Sequence, residues 1–194
     1  MKMLRARELP RQPWKNGGGE TMEIAVYPPD ASFDDFEWRI SMAIVASDGP
    51  FSRFAGIDRT LTILEGGPLG LAIEGAEEVL LTAQSDPVSF AGDSVTSARL
   101  HGATVTDLNV MTRRGHQTHS VTPLSLKSTT LPMQGDGPYL LIVRSGVVEV
   151  MLQDQTIELA RLDSMMVDAT ETASFAIRAR EIAHLLMVDI KSAT

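Results

Sequence analysis

Leu61-Thr62-Ile63-Leu64-Glu65-Gly66 reads as an apolar strand rich in β-branched residues and stopped by a glycine. The chain writes the pattern again as Leu141-Ile142-Val143-Arg144-Ser145-Gly146. Asp107-Leu108-Asn109-Val110-Met111 pairs in the same way with His184-Leu185-Leu186-Met187-Val188. A strand, a Gly turn, a hairpin, an Asp-containing turn and a closing strand therefore occur twice. Such internal similarity indicates two alike β units in one chain.

Outward from these stretches, short strands are expected at 21–27, 38–46, 60–65, 69–73, 79–82 and 105–111. Pro28-Pro29, Gly49-Pro50, Gly66-Gly67-Pro68 and Gly92 break them up. A second block follows at 139–144, 147–152, 156–159, 164–167, 173–177 and 183–190. No long segment has a helical period. The fold class is all-β, with two small barrels: residues 1–115, then a polar crossing connection at 116–138, then 139–194. Residues 1–12 read as an edge segment or arm.

With 194 residues, 43% of them hydrophobic, the chain can bury a real core in one large domain or two small ones. It has no cysteine, which excludes disulfides, thiol catalysis and thiolate metal sites. Lys2, Arg5, Arg7 and Arg11 near the start are not followed by an apolar run, so no signal peptide is expected. No later stretch has the length of a membrane span. The formal charge of −8 argues against a nucleic-acid partner. The default is a cytoplasmic protein that acts on or senses small molecules.

Pro13-Trp14-Lys15-Asn16-Gly17-Gly18-Gly19-Glu20-Thr21 is the first stretch with chemistry in it. Three consecutive glycines serve a sharp turn or a close approach of backbone. The flanking cation, amide, ring and carboxylate suit a small polar ligand, although a plain turn would use the same glycines. In Trp38-Arg39-Ile40-Ser41-Met42, Arg39 and Ser41 share one strand face and the apolar residues the other. Which face is inner stays open at this point. Phe51 and Phe54 can line an apolar wall, Asp58-Arg59 begins a strand, and Asp107 and Asn109 share a face. Lys15, Arg39, Arg59 and Arg113 in an acidic protein favour a small anion. The alternative is internal pairing of Arg39, Arg59 and Arg113 with Glu23, Asp58 and Asp107. The second copy is mostly Leu, Val, Met and Ile along its strands, so a ligand belongs in the first copy. The second is scaffold or a surface for a homodimer.

The histidines are His101, His116, His119 and His184, with no His-x-His pair, so no metal site is expected. There is no Gly-x-Ser-x-Gly turn and no catalytic residue is assigned.

These motifs resemble the HutD/Ves family of bicupins linked with histidine utilisation. The resemblance rests on 13–21 with Glu23-Ile24-Ala25, on Trp38-Arg39-Ile40-Ser41, and on Phe51-Ser52-Arg53-Phe54 through Gly56-Ile57-Asp58-Arg59. It also rests on Phe90-Ala91-Gly92-Asp93 and Asp107-Leu108-Asn109-Val110-Met111-Thr112-Arg113. It implies two cupin-like barrels of the RmlC or jelly-roll type. Arg59 then stands where a metal-binding cupin has its glutamate, and Ser52 with Phe54, or Arg53 with Ala55, where it has histidines. The family implies a metal-free, cofactor-free pocket for a small anionic metabolite, N-formyl-L-glutamate foremost, and moderation of histidine catabolism. Lys15, Asn16, Arg39, Ser41, Phe51, Phe54, Arg59 and Asn109 are the expected contacts. Glu23, Asp58, Asp107 and Arg113 are expected to stand behind them. The alternative is a metal-independent lyase or isomerase with Glu23 or Asp107 as base.

Overall fold

A computed structural model of the chain describes residues 1–136, 138–168 and 172–193. Among these, the strands of the first half are β1 (Lys2–Leu4), β2 (Arg11–Pro13), β3 (Gly19–Tyr27), β4 (Trp38–Val45), β5 (Gly49–Pro50), β6 (Ile57–Gly66), β7 (Leu69–Ile73), β8 (Val79–Leu81), β9 (Val88–Ala91), β10 (Thr96–Leu100) and β11 (Val105–Arg113). They are followed by β12 (Gln117–Lys127), β13 (Thr130–Asp136), β14 (Tyr139–Ser145), β15 (Val148–Met151), β16 (Thr156–Leu159), β17 (Ser164–Val167), β18 (Thr172–Arg178) and β19 (Ile182–Ser192).

The chain divides into two compact units. The N-terminal unit is Leu9–His119 with Ser192 and Ala193, and its last residues are tied in by Ala193 N donating to His116 O at 2.9 Å. It packs a six-stranded sheet, ordered β2-β3-β4-β11-β6-β9, against a four-stranded sheet ordered β5-β10-β7-β8. Val45, Leu61, Ile63 and Val105 from the first meet Leu69, Leu71, Leu81 and Ala98 from the second. Burying each large aliphatic side chain stabilises by about 1.5–3 kcal/mol. A smaller apolar group of Phe36, Ile57 and Met111 forms separately.

The C-terminal unit, Met1–Glu8 with Ser120–Lys191, repeats the plan with sheets ordered β1-β17-β14-β19-β12 and β13-β18-β15-β16. The run β4-β11-β6-β9 thus has its counterpart in β12-β19-β14-β17. The repeated glycines explain themselves. Gly66 has φ +104° and Gly146 φ +82°, both in the left-handed region. A side chain on Gly66 would strike Thr104 O, and one on Gly146 would lie 2.6 Å from Ile182 O and 2.9 Å from Ala183 Cα. Each glycine lets one strand pass tightly over the start of the closing strand.

Three expectations change. The units are two-sheet sandwiches rather than closed barrels. Residues 116–138, expected as a crossing connection, hold β12 and β13. Both are edge strands, so β12 alternates exposed and half-buried residues and keeps a polar composition that resembles a loop. The N-terminal arm contributes β1 to the C-terminal unit, where it pairs with β17.

Candidate functional site

Strand register decides what faces the interior of the N-terminal sandwich. Arg39, Met111 and Arg59 lie side by side across β4, β11 and β6. Ser41, Asn109 and Leu61 form the next row, and Ala43, Asp107 and Ile63 the row after that. Leu61 and Ile63 belong to the apolar core, so this whole face points inward. Trp38, Ile40 and Met42 occupy the opposite face of β4 and are buried as well. The polar rows line a cavity of about 640 Å³, a size typical of small-molecule sites.

All eight residues expected as contacts line this cavity. Arg39 and Arg59 are 5% and 6% exposed, so neither charge is dispersed by bulk water. Arg39 donates through Nε to Glu23 Oε2 at 2.7 Å and through Nη1 to Ser41 Oγ at 3.2 Å. Its guanidinium lies 4.9 Å from the centre of the Phe33 ring. Arg59 donates through Nε to Asn109 Oδ1 at 2.8 Å, and Nη2 donates to the same oxygen. Phe51 and Phe90 flank it at 4.7 and 5.4 Å. Aromatic faces of this kind attract a guanidinium. Burial pulls the Arg59 pKa down to about 10, against the attraction of Asp107 and with the help of Arg39.

Asp107 is 1% exposed. Its Oδ1 accepts a hydrogen bond from Asn109 Nδ2. Its Oδ2 is buried and accepts none. Burial pushes the carboxyl up to about 7, although Arg59 and the Asn109 bond pull the other way.

The glycine-rich turn places the third cation. Gly17 N donates to Trp14 O at 3.0 Å, and Gly17 has φ +71°. Asn16 Oδ1 accepts from Gly18 N at 3.0 Å, which fixes the loop beside Lys15. A side chain on Gly19 would strike Ile44 O and come within 3.0 Å of the Trp14 ring. Trp14 is further held by Nε1 donating to Thr21 Oγ1 at 2.8 Å.

The residues expected behind the contacts separate. Glu23 holds Arg39. Asp107 is itself part of the cavity wall. Asp58 does not support Arg59, because it lies on the opposite face of β6; it accepts from Arg114 Nε at 2.8 Å. Arg113 lies off the cavity and braces the loop that carries Phe33, donating to Asp34 O and Phe36 O at 2.8 Å. Phe33 stands outside the motifs read in the sequence, and Phe90 and Met111 lie inside them without being expected at the site, since apolar residues in a loop or on a strand look alike until packed. The partner of Arg59 is Asn109, two strand residues from Asp107. The alternation of 107 and 109 gave the shared face but not the order of the bonds.

The second copy of the repeat replaces the polar rows of the cavity wall by apolar residues. Ile63 pairs with Asp107, and its counterpart Val143 pairs with Leu185. Glu65 pairs with Thr106, and Ser145 with His184. Asp107 therefore corresponds to Leu185, one residue beyond the expected match with His184. Asn109 corresponds to Met187, and Arg59 to Tyr139. These three fill the C-terminal core or pack against it.

The sequence profile of HutD matches residues 6–186. This chain belongs to the HutD family. It is 45% identical over 116 residues to the protein Ves of Citrobacter koseri, a match covering 59% of each chain. An uncharacterised 21.2 kDa protein from the hutC 3' region of Pseudomonas putida is 39% identical over 111 residues, 57% of each chain. The aligned part thus spans under two thirds of these relatives. Among solved structures, a conserved protein of unknown function from Pseudomonas aeruginosa PAO1 superposes with a TM-score of 0.86 at 33% identity, covering 98% of both chains. HutD from Pseudomonas fluorescens SBW25 gives 0.81 at 25% identity, covering 100% of this chain and 99% of that one. A cupin 2 conserved barrel domain protein from Leptotrichia buccalis, 14% identical with a TM-score of 0.63, shares the fold and covers 88% of each chain. No helix among the described residues is long and apolar enough to cross a membrane.

Proposed function

We propose that this HutD-family chain binds a small carboxylic acid in its N-terminal unit, with N-formyl-L-glutamate as the first ligand to test, and through it moderates histidine or amino-acid catabolism. The carrying observation is the pair of buried arginines, Arg39 and Arg59, set in one row across the cavity with Lys15 at its rim. Each arginine already spends part of its fork on a protein acceptor, which fixes its plane. A fork held this way is organised for a carboxylate before the ligand arrives. Among the described residues no group of three His, Asp or Glu side chains is placed to hold a metal ion. Binding is expected to proceed in chelator.

The test is calorimetric titration of N-formyl-L-glutamate, with L-glutamate, urocanate and formate beside it and a chelator present. Selective binding without turnover supports a sensor or regulator. No heat with any acid removes the carboxylate reading. The second reading is a metal-independent lyase or isomerase, favoured by the raised pKa and free oxygen of Asp107. It predicts product from the titrated acid under the same conditions.

A further inference from the structure

Asp107 is the group that a simple anion site does not explain. A carboxylate facing a cavity prepared for anions repels the ligand. Its neighbours across the sheet, Ala43 and Ile63, offer no hydrogen bond from their side chains. Among the described residues its one side-chain hydrogen-bond partner is Asn109 through Oδ1, and Oδ2 remains without a donor while the residue lines the cavity. A buried acceptor without a partner is costly, so its place in the wall calls for a donor on the ligand.

The rows fix where that donor must be. Residues two apart on a strand stand about 6.6–6.8 Å apart on one face. Arg59 reaches from its own row to Asn109 in the next, and Asp107 is one row further in. A ligand carboxylate on the arginines therefore leaves Asp107 a short distance beyond, within reach of a donor a few bonds from that carboxylate.

We infer that Asp107 is a specificity-determining residue: its free oxygen accepts a hydrogen bond from an N–H of the bound acid, so the cavity selects carboxylic acids that carry an N–H over acids that do not. This rests on the carboxylate reading above and names the ligand class within it. The N–H can come from an amide or from an ammonium group, and the two are separated by the ligands chosen below.

The experiment is titration of the full chain and of Asp107→Asn with N-formyl-L-glutamate, L-glutamate and glutarate. Glutarate keeps both carboxylates and lacks nitrogen. In the wild type an N–H acid should bind roughly tenfold or more tighter than glutarate, the scale of one hydrogen bond to a charged group. An amide source favours the formyl compound; an ammonium source favours glutamate. In Asp107→Asn the side-chain oxygen still accepts from Asn109, so an NH₂ group faces the cavity. The preference should fall to about unity, with glutarate binding retained or improved. An unchanged preference in a folded Asp107→Asn protein overturns the inference. Equal binding of all three acids by the wild type overturns it too, and leaves the carboxylate site standing. No binding of any acid overturns both.

Should Asp107→Asn fail to fold, the wild type decides alone. The charged groups sharing the cavity are Arg59 on β6, Arg39 on β4 with its partner Glu23 on β3, and Lys15 on the turn. Donation to an ionised Asp107 makes N–H acids bind more tightly as pH rises through about 7, while glutarate weakens over the same range. Parallel pH curves for the two kinds of acid overturn the inference.

Discussion

Arg59 concentrates most of the site's physics in one side chain. Its charge is buried, its plane is held by Asn109, and its faces are covered by Phe51 and Phe90. Arg59→Ala should therefore weaken acid binding by at least tenfold while leaving the fold intact, as read by titration and by circular dichroism. Unchanged affinity would remove Arg59 from the site. Arg59→Lys should recover little, because an ammonium lacks the planar fork and stacks poorly. Asp107 makes a separate prediction about stability. Its folded pKa, about 7, lies above the ordinary 3.8, so the folded state favours the neutral acid. That contribution is fully present below about pH 4 and is lost as pH rises through about 7. The stability difference between wild type and Asp107→Asn should therefore shift against the wild type over this window by up to a few kcal/mol. Denaturant midpoints across pH would show it, and equal slopes in the two proteins would contradict it.

At the scale of elements, the Gly17-Gly18-Gly19 turn is three different solutions in a row. Gly17 needs its positive φ and has open space around it. Gly18 lies tight against Ser47 and is capped by Asn16. Gly19 permits the close approach of β3 to Ile44 on β4 and leaves room for the Trp14 ring. Gly19→Ala should accordingly destabilise more than Gly17→Ala. The first forces backbone and an indole apart; the second costs about 1–2 kcal/mol of backbone strain. Gly19→Ala should also weaken ligand binding, since displaced Trp14 moves Lys15. The reverse order of thermal midpoints would mean that the close approach is not what the third glycine serves. The same physics fixes Gly66 and Gly146, whose positions in the repeat are set by the strand crossings they permit.

Across the whole molecule, one plan is used twice, and the polar positions of the first copy are apolar or aromatic in the second. The Arg59, Asp107 and Asn109 positions of the N-terminal unit become Tyr139, Leu185 and Met187 in the C-terminal unit. Calorimetry should therefore find about one acid per chain, and two equivalent sites would contradict the filled core. The C-terminal unit in turn depends on the start of the chain. Asp163 accepts from Arg5 Nη1 at 2.7 Å, from Ala6 N at 3.0 Å and from Ala160 N at 3.2 Å. Asp163→Ala leaves these donors without that acceptor and should cost about 1–3 kcal/mol. Amide exchange should rise at β1 and β17; unchanged protection there would show that strand pairing alone holds the N-terminal segment.

Short alternating strands, the repeated strand-and-glycine pattern and the glycine-rich turn were enough to determine an all-β chain with two related units. Alternation paired Arg39 with Ser41 and Asp107 with Asn109 on shared faces, because it is a property of the chain itself; the grouping of Lys15, Asn16, Arg39, Ser41, Phe51, Phe54, Arg59 and Asn109 came from the family resemblance, and the fold brings them to one cavity. The polar stretch at 116–138 hid two strands, since an edge strand with one wet face has the composition of a loop; only the need for a counterpart to β4 beside β19 reveals it. Tertiary structure alone decided which face of Trp38–Val45 turned inward, because both faces are buried and composition cannot rank them. It also decided that Arg59 leans on Asn109 and not on Asp58, and that Asp107 keeps one oxygen free. Those facts depend on register between strands far apart in sequence, where a shift of one residue sends every side chain to the other face.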